Sequence, residues 1–323
     1  MKRKKKDEVR LYVVSDFHAS EKAWKKMLNA VRLDVYKADA VLYCGDLTGK
    51  AIVPIVEDAG GFEAELFGVR RVARDEDELM ALERDIAAVG YYPYRTTHAE
   101  IDDVADDPVE LAALFDRKLT TQVEEWMTLA ADRLEGSDVA VYLIPGNDDP
   151  YIIDEALERS AFCINVDGRI VDIPGGFQVI GLGKSSPTPW NTPREVPEDA
   201  FFDEIFSLAD QAKDPRRTIF LIHCPPYDTG IDVAPLLGEN LQLQASAGDL
   251  LRGPVGSTGV LEAVKKVKPV LSLHGHIHES GGERKLGDTL LVNPGSEAAF
   301  GVVRGHIVDL SSDGIERSFR VEG

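Results

Sequence analysis

Cysteine is scarce in this chain, which contains only Cys44, Cys163 and Cys224. The number is odd, and no two of these residues have the Cys-x-x-Cys spacing of thiolate zinc sites. Neither a disulfide framework nor a cysteine-based metal site is indicated, and this usage fits a reducing compartment. The sequence therefore predicts a cytoplasmic protein.

Long hydrophobic runs are also missing. Residues 2–6 are all Lys or Arg, but Asp7 and Glu8 follow where the apolar part of a signal peptide would begin. The apolar run at residues 9–14 is too short for a signal peptide or a membrane span. We therefore interpret the basic start as a solvated tail and expect no membrane partner.

Positive charge is in short supply. The 323-residue chain has 36 Lys and Arg residues against 56 Asp and Glu residues, a formal net charge of −20. Nucleic-acid affinity depends largely on Lys and Arg side chains that neutralise phosphates, so long nucleic acid is disfavoured as a partner. The hydrophobic content of 44% supports a substantial core, and we predict a single domain over residues 1–323.

Short β-branched runs alternate with helical stretches, which is typical of a layered α/β (α+β) domain. The predicted strands cover residues 10–14, 40–44, 139–145, 177–181, 218–222, 269–273 and 289–293. A closing hairpin is predicted from residues 298–303 and 306–310. Many of these runs end on polar or histidine-bearing loops, where α/β folds assemble their sites.

Residues 62–137 differ from the rest, because they are strongly charged and poor in strand signals. Apolar residues recur at helical spacing in residues 75–89 and 108–134, and the tyrosine-rich residues 91–94 between them are interpreted as a turn. We predict a helical insert or cap between two core strands. Its apolar faces could cover an active site or join two copies of the chain.

Five short motifs each follow a predicted strand. They are, in chain order, Asp16-Phe-His18, Gly45-Asp46, Gly146-Asn147-Asp148, His223-Cys-Pro-Pro and Gly275-His276-Ile-His278. Their carboxylate, amide and imidazole groups suit Mn, Fe, Zn, Co or Ni rather than calcium or copper(I).

The spacing within these motifs suits metal binding. Asp16 and His18 are separated by one residue, so both can point the same way from a strand end, and His276 and His278 repeat this arrangement. The carboxylate of Asp46 can bridge two cations. Two cations roughly 3.5–4 Å apart can hold both the attacking and the leaving oxygen of a phosphoryl transfer.

Together, in this order, the motifs resemble those of the calcineurin-like metallophosphoesterase superfamily. The match runs from Asp16 to His278; each motif alone is weakly specific, but five in order are highly specific. His223-Cys-Pro-Pro, Glu279 after the last motif, and Asn293-Pro-Gly-Ser296 are similar to the small cytoplasmic branch of bacteria and archaea. The resemblance implies two mixed β-sheets packed as a sandwich and flanked by helices, with metals at the sheet ends.

The resemblance also implies roles for individual residues. One metal ion would be held by Asp16, His18 and His278, and Asp46 would bridge it to the second. The second ion's remaining ligands would be Asn147, His223 and His276. The expected cofactors are two divalent ions, Mn, Fe, Zn or Ni, and the expected activity is hydrolysis of a small phosphate ester by a metal-bound hydroxide.

One position departs from the family pattern. Many members have His where this chain has Asp148, and an imidazolium can assist a leaving group, whereas a carboxylate donates a proton only if its pKa is raised. Asp148 is thus a catalytic candidate beside Asp46 and Asn147, and it favours phosphodiesters or nucleotide-like esters over alkyl monoesters. It can alternatively orient a metal ligand.

Other functions remain open at this point. They are a phosphomonoesterase or protein phosphatase, a nuclease, which the acidic charge opposes, and a metal-stabilised scaffold without activity, which the complete ligand set opposes.

Several other polar residues have plain structural interpretations. His98 and His306 belong to no motif, His274 is expected to pack behind the motif that follows it, and Asp149 is expected to shape a turn. Ser257 or Thr258 should cap a helix at residues 259–267, with phosphate contact as the alternative.

Overall fold

The computed structural model describes residues 7–58, 60–238, 240–246 and 249–323, so the basic residues 2–6 lie outside it. The strands are β1 (Val9–Val14), β2 (Ala40–Tyr43), β3 (Ile52–Asp58), β4 (Gly61–Leu66), β5 (Val69–Ala73), β6 (Tyr92–Thr96), β7 (Ala140–Leu143), β8 (Cys163–Asn165), β9 (Arg169–Ile173), β10 (Phe177–Leu182), β11 (Thr218–Ile222), β12 (Val233–Pro235), β13 (Ala245–Ser246), β14 (Asp249–Leu250), β15 (Arg252–Pro254), β16 (Leu271–Leu273), β17 (Gly282–Leu286), β18 (Thr289–Asn293), β19 (Arg304–Ser311) and β20 (Gly314–Glu322). The α-helices are α1 (Glu21–Arg32), α2 (Glu76–Ala88), α3 (His98–Asp106), α4 (Pro108–Leu134), α5 (Asp154–Leu157), α6 (Glu198–Ala209) and α7 (Thr258–Val267).

Two mixed sheets form the centre of the fold. The first has the order β20-β19-β1-β2-β7-β8, in which β1, β2, β7 and β8 are parallel. The second has the order β17-β18-β16-β11-β10-β9, in which β18, β16, β11 and β10 are parallel. The predicted class, two mixed sheets packed as a sandwich and flanked by helices, is confirmed.

The sheets pack face to face through apolar side chains at alternate strand positions. This layer includes Val13 and Leu42 from the first sheet, and Val179, Leu221 and Leu273 from the second. All five are fully buried, and each contributes about 1.5–3 kcal/mol relative to an exposed side chain. The layer fixes the two sheets, and therefore their strand ends, against each other.

Helices cover the outer face of each sheet. On the first sheet, Trp24 of α1 stacks on Trp126 of α4 with ring centroids 4.7 Å apart. On the second, α6 and α7 bury Phe201 and Val260. The long helix α4 begins at a strong signal, because Asp107 accepts hydrogen bonds from two backbone N–H groups of the first turn and Pro108 occupies the first helical position.

The segment between β2 and β7 is not purely helical, so that prediction is wrong in part. Helices α2, α3 and α4 are present, but β3 to β6 form a separate sheet with the order β5-β4-β3-β6. Residues 91–94 were interpreted as a turn, but residues 92–94 belong to β6, an edge strand that tolerates Pro93. In β4, the buried Ala64 and Leu66 alternate with Glu63 and Glu65, which hid the strand pattern. Together with Val53 and Ile55 of β3, these apolar side chains pack on α2.

The closing hairpin lies later than predicted. Residues 298–300 form a 3-10 turn, and the hairpin consists of β19 and β20. Its turn is Ser312-Asp313, and Gly314, which pairs with Ser311 at the start of β20, has a φ of +112°. Arg304-Gly305 is instead extended and belongs to β19.

No helix in the described part of the chain is both long enough and apolar enough to traverse a bilayer.

Candidate metal centre

The carboxyl ends of parallel strands from both sheets meet at one edge of the sandwich. Strands β1, β2 and β7 of the first sheet and β11 and β16 of the second all end there, each in a short polar loop. The residues in these loops include Asp16, His18, Asp46, Asn147, His223, His276 and His278. The structure thus brings together all seven residues that the sequence pointed to.

A first ligand group consists of Asp16, His18, Asp46 and His278, with ligand atoms within 4.8 Å of one another. His18 Nε2 lies 2.9 Å from His278 Nε2 and 3.5 Å from Asp46 Oδ2. His278 Nε2 lies 3.5 Å from Asp16 Oδ1. These nitrogen and oxygen atoms converge on one point, as ligands of a cation do.

A second group consists of Asp46, His223 and His276, again within 4.8 Å of one another. His223 Nε2 lies 3.4 Å from Asp46 Oδ2 and 2.9 Å from Asn147 Oδ1. Asp46 belongs to both groups, so its carboxylate lies between them.

The residues present fit a metal ion. Asp16 Oδ2 is buried and, within the described residues, has no hydrogen-bond partner. A buried carboxylate oxygen without a partner is costly, and a cation removes that cost. The structure therefore has a buried cluster of Asp and His side chains that could hold a metal ion.

Hydrogen bonds behind the cluster set the orientation of two ligands. His223 Nδ1 lies 2.7 Å from the carbonyl oxygen of Cys44, so this nitrogen donates and Nε2 is left for a metal. Asn147 Nδ2 donates to Thr192 Oγ1 at 2.9 Å and to Asp148 Oδ1 at 3.1 Å. The amide oxygen of Asn147 is thereby turned towards the cluster.

Asp149 joins the loops that follow β2 and β7. Its carboxylate accepts hydrogen bonds from the backbone N–H of Gly146, Leu47 and Thr48, at 2.7, 3.0 and 2.8 Å. The carbonyl oxygen of Asp149 accepts from Nε of the buried Arg194 at 2.6 Å. Asp149 shapes this turn as expected, while Arg194 was not predicted, since it lies far along the chain.

Two glycines allow backbone to approach the ligands closely. A Cβ on Gly146 would lie 2.0 Å from Asp46 Oδ1, and one on Gly275 would lie 2.5 Å from Asp16 Oδ2. Four of the metal-ligand candidates themselves have positive φ, namely Asp16, His18, Asp46 and His276. Left-handed backbone at non-glycine residues costs about 1–3 kcal/mol each and persists where the surrounding structure demands it.

Burial and neighbouring charges shift the pKa values of several ligand candidates. Burial raises the pKa of Asp46 to about 6, and the charge of Asp148 adds to this while His223 opposes it. Burial lowers the pKa of His223, but Asp46 and Asp16 outweigh it and raise the value to about 10. Burial lowers the pKa of His276 to about 3. His223 thus retains a proton at neutral pH that a divalent cation would displace.

Asp148 has a partner that sequence reasoning missed. Its Oδ2 forms an ion pair with Nζ of Lys50, in the loop after β2. The same oxygen lies 4.0 Å from His18 Nδ1, too far for a hydrogen bond. Lys50 belongs to no motif, and its only signal in the sequence was its place four residues after Asp46.

The remaining predicted positions have structural roles. His274 is buried, with Nδ1 2.8 Å from the carbonyl oxygen of Ile222, and His98 is exposed. Ser257 caps α7, but the backbone N–H of Gly259 donates to Glu198 Oε2 at 2.7 Å. An internal carboxylate thus occupies the helix N-terminus where phosphate contact was the alternative.

Comparison with known proteins gives a fold but no function. No family model matches the chain. The uncharacterized protein MJ1162 of Methanocaldococcus jannaschii is 30% identical over 164 residues, which cover 50% of this chain and 66% of that protein. The matched region therefore spans slightly less than two thirds of that relative's length.

Solved structures match nearly the whole chain. One crystal structure has a TM-score of 0.56 and 16% identity, and covers 98% of this chain and 99% of its own. The crystal structure of TT1561 of Thermus thermophilus has a TM-score of 0.52 and 14% identity, with coverage of 97% and 98%. At these identities the likeness concerns the fold alone.

Proposed function

We propose that this chain is a metal-dependent phosphoric ester hydrolase of the calcineurin-like metallophosphoesterase type. The observation that carries the proposal is the place of Asp46, whose carboxylate belongs to two adjacent ligand groups. A carboxylate shared in this way favours a pair of cations over a single one, because it lowers the repulsion between them.

The seven side chains divide between the two sites as follows. Asp16, His18 and His278 would hold one ion, His223, His276 and Asn147 the other, and Asp46 would bridge. The mixed imidazole and carboxylate set suits Mn, Fe, Zn or Ni. Bound there, such ions would lower the pKa of a water molecule and stabilise charge on the phosphoryl oxygens.

The chain's own residues prepare the site for this chemistry. The sandwich core holds the strand ends at a fixed separation, and Cys44 and Thr192 keep His223 and Asn147 oriented before a substrate arrives. The net charge of −20 opposes highly charged substrates. We therefore propose a small phosphodiester or nucleotide-like ester as the substrate, and a cytoplasmic location from the cysteine usage.

The test is hydrolysis of bis-p-nitrophenyl phosphate by the manganese-loaded protein. We expect activity that a chelator abolishes and manganese restores. Asp46→Asn should lose both activity and manganese, with a rate loss above about 100-fold, because even residues behind a metal ligand cost 10–100-fold. The matched control is Asp172→Asn, which changes an exposed carboxylate paired with Lys213. Full activity and metal content in Asp46→Asn would refute the proposal.

A phosphomonoesterase is the second candidate, and the ion pair of Lys50 with Asp148 favours it. The pair offsets the negative charge that otherwise opposes a dianionic monoester. Rates on p-nitrophenyl phosphate and its bis ester, measured side by side, separate the two functions. Bound metal with no hydrolysis of either would instead support a scaffold.

A further inference from the structure

Lys50 lies between solvent and the metal centre. Its side chain is 61% exposed, whereas Asp148 is 14% exposed and Asp46 is 3% exposed. Nζ of Lys50 pairs with Asp148 Oδ2, and the backbone N–H of Asp148 donates to Asp46 Oδ1 at 3.1 Å. The ammonium group is therefore one residue removed from the shared carboxylate and can be reached from outside.

The loop that carries Lys50 is anchored at the two preceding residues. Thr48 donates to Asp149 Oδ1 through its backbone N–H at 2.8 Å and its hydroxyl at 2.6 Å. The backbone N–H of Gly49 donates to the hydroxyl of Tyr92, in strand β6, at 2.7 Å. These bonds fix the backbone from which the Lys50 side chain extends, and the ion pair with Asp148 holds its ammonium group.

The charge of Lys50 acts across the cluster. Burial lowers the pKa of Lys50, but Asp148 and then Asp46 raise it above the ordinary lysine value. The oxygen that pairs with Lys50, Asp148 Oδ2, lies 4.0 Å from Nδ1 of the ligand candidate His18. Lys50 is thus close enough to the metal centre to interact with a bound anion.

We propose that Lys50 is a substrate-binding residue that donates an N–H to a non-bridging phosphate oxygen, and that Asp148 positions it. This inference rests on the proposed function, since it requires a phosphate at the metal centre. A phosphate entering there meets the carboxylate of Asp148, which repels it. Lys50 neutralises that carboxylate and adds a charged hydrogen-bond donor.

The experiment measures binding of inorganic phosphate to the manganese-loaded full chain by titration calorimetry at low ionic strength. Lys50→Ala should weaken binding about tenfold or more, the effect of losing a hydrogen bond to a charged group. Lys50→Arg keeps the charge and should stay within about threefold of the unmodified protein.

The double variant Lys50→Ala with Asp148→Asn is the most discriminating. Without Lys50, the carboxylate of Asp148 is left unpaired and faces the phosphate. Neutralising it should restore part of the affinity, so the double variant should bind phosphate more tightly than Lys50→Ala alone. A purely structural role for the ion pair gives the opposite order, because the second substitution then adds damage.

The control is Lys213→Ala, which removes another exposed lysine that is paired with a carboxylate, Asp172. Manganese content and the unfolding midpoint are measured for every variant. Phosphate binding by Lys50→Ala equal to that of Lys213→Ala would overturn the inference. Loss of manganese from Lys50→Ala, or a double variant weaker than Lys50→Ala, or no phosphate binding by the unmodified protein, would also overturn it.

Different experimental outcomes reject the inference about Lys50 and the proposed function. Hydrolysis of bis-p-nitrophenyl phosphate by the unmodified protein with no effect of Lys50→Ala on phosphate binding rejects the inference alone. Phosphate binding that depends on Lys50, in a protein that hydrolyses no phosphate ester, rejects the proposed activity and keeps the binding site.

Discussion

His306 is a buried histidine outside the metal centre. It lies in β19, with Nε2 3.0 Å from Glu283 Oε2 and 2.8 Å from Ser318 Oγ. Burial lowers its pKa, and the carboxylate of Glu283 only partly opposes this. His223, by contrast, has a raised pKa, because Asp46 and Asp16 both face it. Facing carboxylates, rather than burial alone, thus decide whether the pKa of a buried histidine is raised or lowered.

The lowered pKa of His306 predicts a loss of stability in mild acid. The folded protein keeps the ring neutral, whereas the unfolded chain binds a proton as the pH falls below about 6.5. The contribution of His306 is therefore present above that pH and is lost as the pH falls towards the folded-state pKa. His306→Gln cannot titrate, so its unfolding midpoint should fall less than that of the unmodified protein between pH 7.5 and 5.5.

Thermal unfolding in the presence of a chelator measures this difference without a contribution from bound metal. A difference of 1 kcal/mol corresponds to about 2–4 °C in a protein of a few hundred residues. Equal losses in the two proteins over that pH range would contradict the prediction.

At the scale of elements, the sequence predicted those strands and loops that have a local sequence pattern. The core strands are short apolar runs, and five polar motifs at their ends identified the loops that converge on the metal centre. Strands β4 and β5 were missed because Glu63, Glu65, Arg70 and Arg71 occupy positions in them, so a sheet packed on one helix looked like part of a charged helical segment. The pairing of Lys50 with Asp148 was missed because it joins two loops, and a contact between distant loops leaves no local signature.

Gly146, in the loop after β7, lies so close to Asp46 that adding one methyl group there should disturb the metal ligands. In Gly146→Ala, the new Cβ would lie 2.0 Å from Asp46 Oδ1 and 2.4 Å from the backbone nitrogen of Asp46, so the two loops must separate. Because Asp46 is shared by both ligand groups, manganese content measured by elemental analysis should fall from two ions per chain to one or none. The control is Gly60→Ala, where a Cβ meets no described atom within 4 Å and φ is not in the left-handed range.

Undiminished manganese binding by Gly146→Ala would show that the loop after β7 yields without disturbing Asp46. Loss of metal from Gly60→Ala as well would show that the assay responds to stability in general rather than to the approach of Gly146. Only a loss confined to Gly146→Ala supports the close approach as a requirement of the site.

At the scale of the whole molecule, the candidate metal centre buries the carboxylates of Asp16 and Asp46 in a protein with a net charge of −20. The four positive-φ residues, and an Asp16 Oδ2 that has no hydrogen-bond partner among the residues the structure describes, are costs that the folded chain bears without metal. The unfolded chain has no such arrangement, so cations bind the folded state preferentially. Metal binding should therefore stabilise the whole fold.

We expect manganese to raise the unfolding midpoint and a chelator to reverse the effect. Free ion at 100 times its dissociation constant stabilises a single site by about 2.7 kcal/mol, which corresponds to roughly 5–10 °C at about 2–4 °C per kcal/mol. Calcium at equal ionic strength is the control, since it prefers oxygen ligands and four of the seven ligand candidates are histidines. Equal shifts with the two ions would show only a general effect of divalent cations on an acidic surface. A manganese-specific shift that shrinks in Asp46→Asn would locate the stabilising ions at the carboxylate that both ligand groups share.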